Sequence, residues 1–315
     1  MNRNNIGNTT HGITYNQAKK AIQEMNLIEN FMFDSSIEDK DDAQIVIGKI
    51  LKSIYGKEFK NIRIECQKQL NGLETDCHGI RLDARITQNE LDEYLDASII
   101  DVEMENRAED KKELPRRHRY YESLDDSKSL ETSTPYGKLP NYVSITISSY
   151  DPFDANDMCY VATTVLTSHL HIPYDDGVMH LYFYCKGRPN FNEIIDAGLI
   201  KSKSHSKKLQ EMLEYIVSGK KPATSDSDID AVDNVVTKVK NKKEVTTKYM
   251  RWFDEIRHYK MDERNNIALK DIKFDRENGI SAEVTRNRLR EWGYDDMEID
   301  ELMSTVAEEN KSVRI

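Results

Sequence analysis

Two neighbouring stretches of the chain, residues 79–86 and 99–106, alternate apolar and polar side chains, and this pattern constrains the fold more than any other feature. An alternation with a period of two predicts strands that bury one face and expose the other. In the second stretch the acidic residues all fall on the polar face, which carries Asp101, Glu103 and Glu105. The sequence therefore predicts a half-buried strand pair with a strongly acidic face.

The acidic face requires positive charge nearby. Alternate residues of a strand lie about 7 Å apart, so neighbouring carboxylates repel each other by roughly 2 kcal/mol at an effective dielectric of about 20. A divalent metal ion, held together with Asp83 of the first strand, is one answer to this charge. The other is an ion-pair ladder, because Arg81 and Arg85 share the polar face with Asp83. Cross-strand ion pairs contribute a few tenths of a kcal/mol to about 1 kcal/mol, and the pattern alone leaves both interpretations open.

Composition disfavours several classes of protein. The 315 residues are 38% hydrophobic and 32% charged, which is typical of a globular protein. No apolar run reaches the length of a membrane span, so we expect a cytoplasmic protein without a membrane partner. The net charge of −11 argues against a surface that is basic throughout, although it allows a local basic cleft for nucleic acid. The cysteines form no C-x-x-C pair, which disfavours structural zinc.

The order of helical and strand-like patterns predicts an α/β fold in which a mixed sheet is flanked by helices. Helices are expected from about Tyr15 to Asp34, over Asp42–Tyr55, and from Leu114-Pro115 onward. Strands are expected over Ile62–Leu70, Gly79–Gln88, Ala97–Asn106, Tyr142–Tyr150, Tyr160–Thr167 and Val178–Cys185.

The chain is expected to contain four regions. These are a disordered tail over residues 1–14, the α/β domain over 15–190, a helical extension over 191–262 with a mobile loop near 219–230, and a helical hairpin over 263–315. The hairpin carries an apolar stripe at helical spacing. This stripe suits packing within the chain, and it equally suits the interface of a homodimer. Its residues are Ile299, Leu302, Met303 and Val306.

Five short segments between residues 23 and 190 form an ordered series. They are Leu27–Phe33 (LIENFMF), Gly79–Asp83 (GIRLD), Asp101–Glu105 (DVEME), Arg116–Tyr121 (RRHRYY) and Tyr136–Ile145 (YGKLPNYVSI). Together they resemble the PD-(D/E)XK nuclease family transposases, also called Rpn-type recombination-promoting nucleases. The resemblance implies a restriction-endonuclease-like mixed sheet for residues 15–190, followed by a helical C-terminal extension.

The resemblance also implies a chemistry. The family hydrolyses phosphodiester bonds of DNA with Mg²⁺, for which Mn²⁺ substitutes, in recombination, element mobility or defence. Asp83, Glu103 and Glu105 occupy the catalytic and metal-binding positions, and oxygen ligands of this kind suit Mg²⁺. Glu105 departs from the family, which has Gln there, and from the wider superfamily, which has Lys. The cationic role of that lysine then falls to Arg81, Arg85 or Arg117, or the site is inactive.

Several further residues have a place in this resemblance. Arg116, Arg117 and Arg119 suit phosphate contacts at the start of a helix, and they equally suit a solvated basic surface. Tyr121 is an auxiliary candidate whose simpler role is packing, and Glu29 corresponds loosely to an additional acid that some members use. The alternative function is a nuclease-fold module that binds DNA or a partner protein without cutting.

Overall fold

A computed structural model describes residues 12–59, 62–70, 80–88, 97–130, 133–190, 203–224 and 226–312. The helices within these ranges are α1 (Tyr15–Glu24), α2 (Asn30–Ser36), α3 (Lys40–Tyr55), α4 (Leu114–Ser129), α5 (Lys203–Ser218), α6 (Ser227–Asn241), α7 (Lys243–Glu277), α8 (Ala282–Glu291) and α9 (Asp296–Ser312). The strands are β1 (Ile62–Leu70), β2 (Ile80–Gln88), β3 (Ala97–Glu105), β4 (Asn141–Ser148), β5 (Cys159–Ala162) and β6 (Val178–Tyr184).

The chain divides into two compact units, and the larger contains the sheet. This unit spans Ile22–Val245, and the other combines Met1–Ala21 with Thr246–Ile315. The described strands form one sheet in the order β1-β2-β3-β4-β6-β5. The β1–β2, β2–β3 and β5–β6 pairs are antiparallel, whereas β3–β4 and β4–β6 are parallel. The predicted α/β fold with a mixed sheet and flanking helices is therefore confirmed.

One face of the sheet is apolar, as the alternation predicts. In β3 its side chains are Ile100, Val102 and Met104, all of which are buried. Helix α2 packs against β3, and α3 packs against β1. The Cys66 thiol, on β1, donates a hydrogen bond to the Ile37 carbonyl just after α2, with 2.6 Å between Sγ and O. Helices α2 and α3 thus supply the cover that this face needs.

Helix α4 covers the other face, which is polar. It joins the parallel strands β3 and β4, and such a connection requires a crossover of this length. The helix begins at Leu114 as predicted, with Pro115 in the first turn where its missing N–H is tolerated. Its buried side chains include both apolar and polar groups, because they meet a polar sheet surface. They are Leu114, His118, Leu124 and Asp125.

The predicted helix from Tyr15 to Asp34 is wrong as a single element, because the structure breaks it between α1 and α2. The Ile28 backbone N–H donates to the Ile216 carbonyl of α5 at 3.0 Å. The Asn26 backbone N–H donates to the Glu29 carboxylate at 3.2 Å. Tertiary and side-chain hydrogen bonds thus replace the helical ones, which the local sequence pattern does not indicate.

Part of the predicted loop near residues 219–230 is helical. Helix α6 begins at Ser227, and the Asp226 carboxylate caps it by accepting hydrogen bonds from the Asp228 and Ile229 backbone N–H groups. The buried face of α6 is built from valines at helical spacing, and it packs against α3. Residues 1–11 of the predicted tail and 191–202 of the predicted extension lie outside the described residues.

The Asp226 cap gives a first prediction for stability. Replacing Asp226 with Ala should destabilise the larger unit by about 1 kcal/mol, because the first α6 N–H groups lose their acceptor. Asp226→Asn is the matched control, since asparagine caps equally well and should change the free energy of unfolding little. Urea unfolding of both variants measures the difference. If both variants lost the same free energy of unfolding, the helix cap would not be the cause of the loss.

The C-terminal end of the second unit contains two helices joined by a short turn. Helices α8 and α9 meet after Gly293, whose φ of 86° is a left-handed conformation that suits glycine. They form a core with the end of α7, which is continuous across the boundary expected at residue 262. The members of this core are Ala268, Ile272, Leu289, Tyr294, Ile299, Leu302 and Val306, with Leu269 and Met303 at its edge. None of the helices in the described ranges is both long and apolar enough to span a membrane.

Candidate functional site

The polar face of the sheet forms rows of side chains that cross several strands. The strand register aligns Glu103 of β3 with Thr146 of β4, and Thr146 with Tyr182 of β6. The neighbouring row aligns Asp101 with Ser144. Because side chains in register point to the same face, the three acids of β3 lie beside a polar layer, and α4 covers both.

Asp83 and Glu103 are brought together by the antiparallel pairing of β2 and β3. Ala84 is opposite Val102, and the same register continued by one residue places Asp83 beside Glu103. The Asp83 carboxylate accepts a hydrogen bond from the Met104 backbone N–H, with 3.2 Å between Oδ2 and N. The predicted pair of neighbouring carboxylates is therefore present in the structure.

Glu103 is a buried acid whose pKa is shifted upward. Its side chain is 12% exposed, and its buried Oε1 atom has no hydrogen-bond partner among the described residues. Burial raises the pKa of Glu103 well above its usual value, and the negative charge of Asp83 raises it further, whereas Arg117 lowers it. A buried carboxyl with an unused oxygen and a like charge beside it is the arrangement that a bound cation would relieve.

Glu105 lies on the same face and has well-defined partners. Its Oε1 atom accepts a hydrogen bond from the Arg107 backbone N–H at 3.2 Å, and its Oε2 atom accepts one from Arg117 Nη2 at 2.5 Å. The side chain is buried. Glu105 is thus already neutralised by an arginine, and direct metal ligation by Glu105 would require Arg117 to move.

Arg117 is the cation that the structure places among these acids. It projects from α4, and its Nη2 atom lies 3.7 Å from Glu103 Oε2 as well as 2.5 Å from Glu105 Oε2. Burial lowers the pKa of Arg117, but the charge of Glu103 and the hydrogen bond to Glu105 raise it more, so the net shift is upward. Arg117 therefore stays charged, and its Nε is a buried donor without a partner among the described residues.

The other residues of the predicted basic helix are placed differently. Arg116 and Arg119 are exposed on the surface of α4. Tyr121 is one helical turn beyond Arg117, and burial together with the charge of Glu103 raises the pKa of its hydroxyl to about 12. The structure thus brings Tyr121 and Arg117 to the acids and leaves Arg116 and Arg119 at the surface.

Two auxiliary candidates, Arg85 and Glu29, have partners other than Asp83, Glu103 and Glu105, and a third, Arg81, is not described at its side chain. Arg85 is buried in an ion pair with Asp125 of α4, in which Nη2 lies 2.8 Å from Oδ2. Glu29 accepts a hydrogen bond from the Asn26 backbone and acts electrostatically on Lys240. Arg81 belongs to β2, but its side chain is not among those that the structure describes.

Sequence reasoning missed the buried polar layer behind the acids. The His118 ring lies between two hydroxyls, with Nδ1 3.0 Å from the Tyr182 hydroxyl and Nε2 3.2 Å from Thr146 Oγ1. Burial is the largest of the effects that lower the pKa of His118 to about 3, so the ring is neutral at neutral pH. The alternation of Ser144, Thr146 and Ser148 in β4 is the sequence signal that indicates this layer.

The donor chemistry of Asp83 and Glu103 fits a magnesium ion. Both supply carboxylate oxygens, which Mg²⁺ prefers, and Glu103 Oε1 is available as a ligand. Within the described ranges no group of three or more His, Cys, Asp and Glu side chains is gathered for a metal. The protein would thus supply few direct ligands, which suits Mg²⁺ because it keeps several waters. Comparisons with protein families, with curated proteins and with solved structures found no match to this chain.

Proposed function

We propose that the chain is a Mg²⁺-dependent DNA endonuclease. The observation that carries the proposal is the buried Glu103 carboxyl, which has an unpartnered oxygen and lies beside Asp83. Groups with strongly perturbed pKa values that converge on one point are a mark of functional sites. The resemblance to the PD-(D/E)XK nuclease family transposases supports the same assignment, and it suggests a role in recombination, element mobility or defence.

Each residue near the acids has a role in this proposal. Asp83 and Glu103 would hold Mg²⁺, which when bound polarises the phosphoryl oxygen and lowers the pKa of a bound water. Arg117 would contact the phosphate whose bond breaks, since a guanidinium matches two phosphate oxygens at once. Glu105 positions Arg117 through their 2.5 Å hydrogen bond. The exposed Arg116 and Arg119 would contact the DNA backbone on either side.

One observation favours the alternative function, a module that binds DNA or a partner without cutting. Arg117 already neutralises Glu105 and lies near Glu103. An ion pair of this kind compensates the acidic face without a metal. The two functions differ in one measurable property, which is metal-dependent cleavage.

Plasmid cleavage tests the proposal. Purified protein should nick plasmid DNA with Mg²⁺ or Mn²⁺ and leave it intact in EDTA. Asp83→Asn should cut at least about 100-fold more slowly, because the loss of a charged metal ligand removes several kcal/mol of transition-state stabilisation. Asp154→Asn is the matched control, since Asp154 is exposed and its positive φ of 61° is one that asparagine adopts readily.

Two outcomes would contradict the nuclease. The first is intact plasmid under every condition although the protein is folded, and the second is cleavage that Asp83→Asn leaves unchanged. If the folded protein still retards the plasmid in a gel but never cuts it, the binding module is the better description. If Asp83→Asn still retards the plasmid but no longer cuts it, the result would support separate roles for the metal ligands and for the residues that contact DNA.

A further inference from the structure

The outer face of α7 carries large apolar side chains where solvent-facing polar residues are expected. Tyr259, Ile267 and Phe274 are 71%, 55% and 60% exposed, while Ala268 and Ile272 on the opposite side belong to the core of this unit. Single exposed apolar residues are ordinary, but these three repeat at intervals of eight and seven residues. At 3.6 residues per turn they lie within about 80° of one another around the helix.

The same face also carries one acid and one base, both exposed, between the apolar residues. We define the α7 stripe as Tyr259, Glu263, Asn266, Ile267, Lys270 and Phe274. These positions follow one another at three- and four-residue steps, with two adjacent members at the centre, so they form a continuous strip. From its first member to its last, the strip is about 22 Å long. An exposed strip with this composition resembles one half of a helix–helix interface.

The arrangement of charges selects the partner and its direction. A second copy of α7 packed antiparallel, with the two-fold axis at the midpoint of residues 266 and 267, places Tyr259 opposite Phe274 and Glu263 opposite Lys270. The symmetry repeats both contacts, so the stripe is complementary to itself. A parallel pair would instead set Glu263 against Glu263 and Lys270 against Lys270, and such like-charge contacts are unfavourable.

We infer that the protein forms a two-fold symmetric homodimer through antiparallel packing of the α7 stripe. The apolar residues supply the attraction, because their burial removes apolar surface from water. The Glu263–Lys270 contacts specify the direction and register, in the way that charged positions specify pairing in coiled coils. This inference goes beyond the proposed nuclease function and does not depend on it.

A charge exchange tests the dimer. The wild-type full-length protein should sediment at about twice the 36.6 kDa of one chain at concentrations of tens of micromolar. Glu263→Lys and Lys270→Glu should each weaken association at least about tenfold, because each places like charges opposite each other. The double variant Glu263→Lys/Lys270→Glu restores opposite charges in the same register. Its dissociation constant should return to within about threefold of the wild-type value.

Three results of the charge exchange would overturn the inference. They are a wild-type chain that remains at 36.6 kDa at about 100 μM, a dimer that neither single variant weakens, and a folded double variant that does not recover association. Trp252 and Trp292 both lie in the unit that contains the stripe, so tryptophan fluorescence in urea verifies that every variant is folded. Ile267→Lys provides a second route to a monomer. A dimer that it leaves intact would likewise place the interface elsewhere.

Discussion

Replacing Arg85 with Leu is expected to destabilise the larger unit by about 3–5 kcal/mol, the loss typical of breaking a buried ion pair from one side. Arg85 makes two hydrogen bonds to the Asp125 carboxylate, and both side chains are buried. The register also places it opposite Asp101, another buried acid. Leucine removes the cation and leaves two buried carboxyls, Asp125 of α4 and Asp101 of β3.

The destabilisation should depend on pH in a defined direction. Burial raises the pKa of Asp101 to about 6, from an unfolded value near 3.8, and the Arg85 charge limits the increase. Without Arg85 the folded pKa rises further. Below about pH 6 Asp101 stays protonated in the folded wild type and in the folded variant, so it adds little to the difference in stability between them. Above about pH 6 the folded wild type ionises Asp101 while the folded variant keeps it protonated, so only the variant continues to lose stability and the defect grows with pH.

Two control variants separate the buried pair from the loss of an arginine in general. Arg188→Leu removes an exposed arginine that is hydrogen-bonded to Asp157, and it should cost under about 1 kcal/mol. Arg85→Leu/Asp125→Leu replaces the pair with apolar side chains and should recover most of the loss. Hydrogen exchange of the β2–β4 amides is the suitable measurement, because both tryptophans lie in the other unit. Equal losses in Arg85→Leu and Arg188→Leu would contradict the argument.

The strand pattern predicted the acidic face correctly because alternation is a local property. The side-chain period of two places Glu103 and Glu105 on one face whatever surrounds the strand. The same reasoning predicted a strand pair with Asp83 on the polar face of β2, whereas the pairing of Asp83 with Glu103 comes from the strand register in the structure. It did not indicate how deeply Glu103 is buried, because that depends on the position of α4.

The sequence could not indicate which arginine lies beside the acids, because this too depends on the position of α4. Arg85 and Arg117 were both candidates for the cation near the acids, and the docking of α4 decided between them. The helix presents Asp125 to Arg85 and Arg117 to Glu105, two turns apart. Which side chain of a helix reaches which strand depends on tertiary packing, and no local pattern reports it. The start of α6 was missed for another reason, since Asp226 caps the helix within a stretch that reads as polar loop.

Glu103→Gln should make the protein more stable while it abolishes cleavage. Burial and the neighbouring Asp83 raise the pKa of Glu103, so at neutral pH the folded state holds a carboxyl that the unfolded state ionises freely. Glutamine keeps the shape and removes this penalty. We expect a gain of about 0.5–2 kcal/mol in the absence of metal, comparable to other stabilising substitutions at strained functional sites. Glu214→Gln, at an exposed position of α5, should change stability by less than about 0.5 kcal/mol.

The pH dependence of this gain follows from the direction of the shift. Below pH 4.5, the ordinary pKa of a glutamate, Glu103 is protonated in both states, and the variant and the wild type should be equally stable. Above that pH the unfolded wild type loses its proton first, so the wild type loses stability and the variant does not. The two curves of unfolding free energy against pH should therefore separate as pH rises. Parallel curves would contradict the raised pKa.

Magnesium should reverse the order of stability if Glu103 is a metal ligand. An ion that binds only the folded state stabilises it by about 2.7 kcal/mol at 100 times its dissociation constant. The wild type should gain this amount, and Glu103→Gln should gain little because its neutral amide is a poorer ligand. The variant is then the more stable protein in EDTA and the less stable one in excess Mg²⁺. If Mg²⁺ raises the free energy of unfolding equally in both proteins, Glu103 is not a metal ligand. This conclusion holds whatever the cleavage assay shows, because unfolding measures binding without requiring catalysis.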